Sequence, residues 1–189
     1  MKLNSRLILF TILLVVLATA SKLLFAPKLE WSGFSPVIAI ALLSGMIVKD
    51  KSKSFLLPLV ALVMSDVLIQ IFYLAGMFPF AGFYKYQLFN YALLLVSVLI
   101  GWAVQGKNYL NILIGTLAAP TVFFLISNFM VWAGNGGYQR PHTVGGLLLC
   151  YADGLPFYKN ALIATLVYVP ASIGLYNLLA KRTYSLKLA

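Results

Sequence analysis

Acidic residues, histidine and cysteine are all scarce in this chain: Asp and Glu together number 4 of 189 residues, and His and Cys occur once each. Metal-dependent hydrolysis needs several His, Cys or carboxylate ligands, and the sequence has neither the numbers nor an H-E-x-x-H. Cys150 stands alone, which excludes an intramolecular disulfide and a cysteine metal cluster and leaves packing as its expected role. No G-x-x-x-x-G-K-[ST] is present, so the chain by itself is no P-loop ATPase. Nor does a G-x-S-x-G accompany His142, and nothing fixes an activated Ser127 beside it. An enzyme is therefore not expected, and no cofactor or metal is needed. Charge runs, low-complexity stretches and a clear internal repeat are missing too.

What the chain does have is apolar length. Hydrophobic residues make up 62% and charged residues 10%, and the mean hydropathy is +0.95, which belongs to an integral membrane protein. Spans of ~20 residues allow about six helices with short loops and no further soluble domain. The apolar runs fall at 7–25, 34–48, 55–74, 88–104, 110–132 and 161–179, bounded by charges, Gly, Pro or interfacial aromatics. The expected fold is an all-α bundle of about six transmembrane helices, a single transmembrane domain over 1–189. The second run is short for a span, and Pro36 at its start is tolerable because a first-turn proline gives up no intrahelical bond.

Basic residues orient such a bundle, since cytoplasmic flanks carry the excess. With the N-terminus inside, Lys2, Arg6, Lys49, Lys51, Lys53, Lys107, Lys181, Arg182 and Lys187 face the cytoplasm, and Lys22, Lys28, Lys85, Arg140 and Lys159 lie outside. Both termini are then cytoplasmic. The net charge of +10 reads as an orientation signal with some attraction to anionic lipid, and no soluble basic surface invites nucleic acid. The opening residues Met1 to Arg6, the apolar run and Ala18-Thr19-Ala20 also fit a signal peptide. An uncleaved anchor is the expected reading, because apolar character resumes at Leu23-Leu24-Phe25.

Polar residues inside the runs are the strongest functional signal. Asp66 is the one carboxylate within a span, and a charge at membrane depth usually faces a bundle interior or a watery cavity. Gln70 lies four residues on, and Asn128 and Trp132 repeat the spacing, so each pair shares a helix face. Asn90 opens the fourth span and Asn160 the sixth. These groups gather in the half of the bundle expected to face outward, which predicts an outward-open cavity; hydrogen bonding between helices is the alternative use for them. The longest non-spanning stretch is an outer loop over 133–160. It is Gly-rich at first and then apolar enough for an interfacial or re-entrant helix before the last span, and it carries Arg140, His142, Tyr151, Asp153 and Lys159.

Several strings carry a resemblance: Phe34-Ser35-Pro36-Val37-Ile38-Ala39, Ser65-Asp66, Leu88-Phe89-Asn90-Tyr91, Ser127-Asn128-Phe129-Met130-Val131-Trp132, and the run from Cys150 to Asn160. Over nearly the whole chain after the first span, these resemble a group of uncharacterised small bacterial membrane proteins. That group is in turn remotely similar to the S components of energy-coupling-factor (ECF) vitamin transporters. The resemblance implies a six-helix bundle in a bacterial cytoplasmic (inner) membrane that binds a solute near the outer face, with ATPase and coupling subunits as transport partners. The small-x-x-x-small spacing that S components carry on the first helix falls here at Ala41 to Gly45 and Gly115 to Ala119 instead.

The expected function is a membrane-embedded solute-binding or uptake component. Asp66, Gln70, Asn90, Asn128, Trp132, Arg140, Tyr151 and Asn160 are its candidate ligand-binding residues, and the lipid bilayer and a small-molecule solute its partners. The alternatives are a non-transport structural or assembly protein of the membrane and a small ion-coupled secondary carrier.

Overall fold

The computed structural model describes residues 5–85, 87–105, 109–134 and 139–179. Among them lie six α-helices and one short 3-10 turn, with no strand: α1 (Ser5–Phe25), the turn Leu29–Trp31, α2 (Val37–Ile47), α3 (Lys51–Leu74), α4 (Gln87–Val104), α5 (Tyr109–Ala133) and α6 (Val144–Leu179). Four stretches, Ile8–Phe25, Lys51–Leu74, Gln87–Val104 and Tyr109–Ala133, are long and apolar enough to cross a membrane, and Val37–Ile47 is a shorter apolar helix. The chain is therefore an all-helical protein of membrane character.

The short second helix is the axis of the bundle. Its residues 38–46 are all buried, and it packs against α3, α4, α5 and α6. Being apolar on every side, it suits a core position rather than a surface. Its contact with α4 is backbone on backbone: a Cβ on Gly45 would fall 2.2 Å from the Val98 carbonyl oxygen, and one on Gly101 2.3 Å from that of Leu42. Glycine at both positions permits that approach, in the manner of close-packed membrane helices. The small-residue stretch 41–45 is thus engaged within the bundle.

Local signals fix the helix starts. Asp50 caps α3, its carboxylate accepting from the Lys53 amide at 3.2 Å, and the Pro36 carbonyl accepts the first helical bond of α2, from Ile40. At the end of the bundle bearing Lys51, the Trp102 indole donates to Ser54 Oγ at 2.9 Å and packs edge-on against Phe55. The opposite end carries Lys22, Asp66 and Asn128 and is called the polar end below.

An outer loop over 133–160 containing a separate interfacial or re-entrant helix is not what forms: α6 runs unbroken through its 36 residues and two prolines, Pro156 and Pro170. Proline removes one ladder bond and crowds the preceding turn, yet packing against α5 holds this helix together across the defect. Tyr151 Oη donates to the Leu125 carbonyl at 3.0 Å, Tyr158 Oη meets Thr121 Oγ1 at 2.9 Å, and Phe124 stacks on Tyr158 with ring centroids 4.7 Å apart. Gly154 seats the crossing, since a Cβ there would fall 2.4 Å from Asn128 Oδ1. At about 54 Å, the helix is longer than a ~30 Å hydrocarbon layer is thick.

Candidate functional site

Asp66 is buried on α3, and its carboxylate is engaged from three sides. Lys22 Nζ of α1 pairs with Oδ1, while Gln87 Nε2 and Tyr91 Oη, both of α4, donate to Oδ2. Gln87 also donates to the Gly82 carbonyl at 3.1 Å. One turn along α3, Gln70 Oε1 accepts from the amides of Gly82 at 2.9 Å and Phe83 at 3.3 Å. Asp66 and Gln70 do share a face, and that face grips the α3–α4 loop. Gly82 lies so close to α3 that a Cβ would sit 2.0 Å from the Asp66 carbonyl oxygen and 2.6 Å from the Gln70 amide nitrogen.

A second polar cluster joins α5 to α6. Arg140 Nε and Nη2 meet the two carboxylate oxygens of Asp153 at 2.8 and 3.0 Å, a two-pronged pair. Those hydrogen bonds and the guanidinium charge hold the Asp153 carboxyl below its usual value of 3.8. The Trp132 indole donates to the Pro141 carbonyl at 2.9 Å, and His142 Nε2 lies 2.9 Å from the Trp132 carbonyl oxygen. Cys150 Sγ approaches the Asn128 carbonyl at 3.5 Å, and burial holds its thiol above the ordinary range. Asn160 Nδ2 donates to the carbonyls of Glu30 and Ser32, both at 2.9 Å, tying the α1–α2 connection to α6. Gly33, in the left-handed region at φ 87°, completes that tie, because a Cβ there would fall 2.7 Å from the Phe157 carbonyl oxygen.

Between these clusters lies a cavity of about 370 Å³, bounded by the start of α2, by α4, α5 and α6 and by Tyr84 of the α3–α4 loop. Phe123, Phe124, Phe157 and Tyr158 give it aromatic walls, Ser35, Asn90, Ser127 and Asn128 supply hydrogen-bonding groups, and no charged side chain is among the described residues lining it. Asn90 Nδ2 donates to Tyr84 Oη at 3.0 Å, and Asn128 Nδ2 to the Phe124 carbonyl at 2.9 Å. A second cavity, of about 540 Å³, lies at the outermost turns of α4 and α5 between Lys85, Phe89, Met130, Val131 and Gly134, and shares Asn90 and Ser127 with the first.

Of the eight residues singled out by sequence, Asn90 and Asn128 line the cavity. Asp66, Gln70, Trp132, Arg140, Tyr151 and Asn160 lie outside its described lining and are partnered within the chain. Tyr84, Phe124, Phe157 and Tyr158 were missed: Phe124 lies in an apolar run, where nothing separates a cavity wall from a lipid-facing ring, and the other three fall in stretches read as loops. Ser35 and Ser127 could have been found inside the very strings that carry the resemblance. No cluster of three or more His, Cys, Asp or Glu side chains able to hold a metal occurs among the described residues.

Comparison with known proteins places the chain in one family: the model of a family of unknown function, DUF6580, matches residues 1–187, and the chain belongs to that family. No curated protein and no solved structure matches it.

Proposed function

We propose that this member of a family without an assigned role is a membrane-embedded solute-binding or uptake component, taking a small molecule into the cavity at its polar end. The carrying observation is the cavity itself. At about 370 Å³, it falls within the range of small-molecule sites, and its walls combine an apolar, aromatic majority with a few convergent hydrogen-bonding groups, as such sites do. Asn90 and Asn128 hydrogen-bond the solute and Phe124 offers it a ring face. The Asp66 cluster serves the site indirectly, by fastening the loop that carries Tyr84.

In the finer form of this reading the helices make a six-span bundle in a bacterial cytoplasmic membrane, with the polar end outward. Transport then draws on ATPase and coupling subunits, as in S components. The test is equilibrium binding of the small molecule that co-purifies with the protein in mild detergent, identified by mass spectrometry. Asn90→Leu and Asn128→Leu, compared as folded proteins, should each weaken it about tenfold, the scale of one lost hydrogen bond. Unchanged affinity in both folded variants would remove the cavity from consideration.

The internal partnering of the other six polar residues favours a second reading, a structural or assembly protein whose polar groups serve packing. Co-purifying polypeptides without any small molecule would support it.

A further inference from the structure

Resting on the solute-binding reading, we infer that the ligand is an uncharged amphiphile of the bilayer, a flat polar ring on a hydrocarbon tail, and that it enters sideways between the outermost turns of α4 and α5. The two cavities adjoin, because Asn90 and Ser127 line both, so one elongated molecule can occupy the pair. In the inner one, aromatic walls suit a planar body by stacking or edge contact. Tyr84 Oη accepts from Asn90 Nδ2 at 3.0 Å, so the tyrosine proton and Asn90 Oδ1 offer a donor and an acceptor side by side, the complement of an uncharged amide. An ion taken there would lose its hydration, and among the described lining residues no charge replaces it.

Several sides of the inner cavity are fastened. Gln70 holds the loop that carries Tyr84, the α5–α6 crossing is closed at Gly154 and by the stacking of Phe124 on Tyr158, and Asn160 ties the α1–α2 connection to α6. α4 and α5 behave differently along their length. Near the Lys51 end they touch closely, a Cβ on Gly115 meeting Val104 at 3.1 Å, whereas at the polar end the outer cavity of about 540 Å³ lies between them. Phe89, Met130 and Val131 line it, and all three are exposed on helices long and apolar enough to cross a membrane. An exposed apolar rim on such helices meets hydrocarbon chains. Lys85, also at the rim, is engaged within the chain. A tail leaving by this mouth stays in the bilayer while the ring is held inside.

The test uses para-methoxybenzamide and para-hexadecyloxybenzamide, one head with a short and a long tail, and the full chain in nanodiscs of phosphatidylcholine. Affinity is referred to each probe's mole fraction in the bilayer, so that partitioning cancels. The hexadecyl probe should bind at least as tightly as the methoxy probe, although the inner cavity has no room for its tail. Met130→Trp and Val131→Trp, which narrow the mouth, should each lower the ratio of hexadecyl to methoxy affinity about tenfold. A diazirine in the tail should label α4 and α5 at the mouth, and excess methoxy probe should suppress that labelling. Exclusion of the hexadecyl probe while the methoxy probe binds, or tryptophans that do not separate the two, overturns the inference and leaves a compact solute for the cavity. Labelling that the methoxy probe does not reduce is contact with the outer helix surface only, and overturns it as well. If a co-purified, water-soluble metabolite binds at Asn128 and neither benzamide does, the inference falls alone; if no small molecule binds, the solute-binding reading falls with it.

Discussion

Asp66 holds Lys22, Gln87 and Tyr91 to one carboxylate, and so pins α1 and α4 to α3. Asp66→Asn keeps the shape and removes the charge, leaving the Lys22 ammonium without its counterion. That should lower stability by about 3 kcal/mol, as breaking a buried pair from one side generally does; unfolding in mixed micelles measures it. Lys22→Met in the same background should recover part of the loss, giving a coupling above about 1 kcal/mol. Strict additivity of the two changes would show that the pair contributes nothing. At this scale the sequence displayed half of each arrangement. Asp66 stood out because a carboxylate in an apolar run is costly, but its partner lies 44 positions away on another helix, and a lysine at a helix end looks like an orientation signal. Asn90 and Asn128 were visible as amides inside spans, whereas Phe124 and Tyr158 acquire a role only when α5 and α6 stack.

The loop between α3 and α4 is shaped by contact with a helix rather than by its own turn chemistry. Gly82 has backbone, not flexible side chain, where a Cβ would go. Gly82→Ala should lift the loop off α3, breaking the bonds from its amides to Gln70, at a cost of about 1–3 kcal/mol typical of overpacking. The expected readout is faster proteolysis between α3 and α4 with the rest of the bundle resistant; wild-type cleavage kinetics would show that the close approach is dispensable. Helices themselves were largely legible, because apolar runs of membrane length have few other options. α1, α3, α4 and α5 coincide closely with the predicted runs. Residues 144–160 were harder, since Gly145, Gly146 and Pro156 all signal interruption in sequence. The two glycines fall in the first turn of α6, which Thr143 caps, its Oγ1 accepting from the Gly146 amide at 3.1 Å; at Pro156 the crossing with α5 prevails, a tertiary contact that local propensity cannot report.

Over the whole molecule, basic residues predict which way the bundle faces. In a Cys150→Ala background, Met77→Cys near the polar end should react with an impermeant maleimide on intact cells, and Ser52→Cys beside Lys51 and Lys53 should not. The reverse pattern would turn the cavity towards the cytoplasm and end the uptake reading. The bundle's axis is its shortest helix: α2 extends about 16 Å, roughly half of the ~30 Å hydrocarbon layer. Eleven residues are too few to settle across lipid by themselves, yet α2 is second in order of synthesis, and three of the four helices that enclose it come after α3. During biogenesis the chain must therefore hold an early, unlodged apolar segment in reserve until its later neighbours arrive. The order in which the ribosome delivers the helices is thus not the order in which they can take their final places: the central one meets its main partner only with α4 and keeps an open side until α5 and α6 follow.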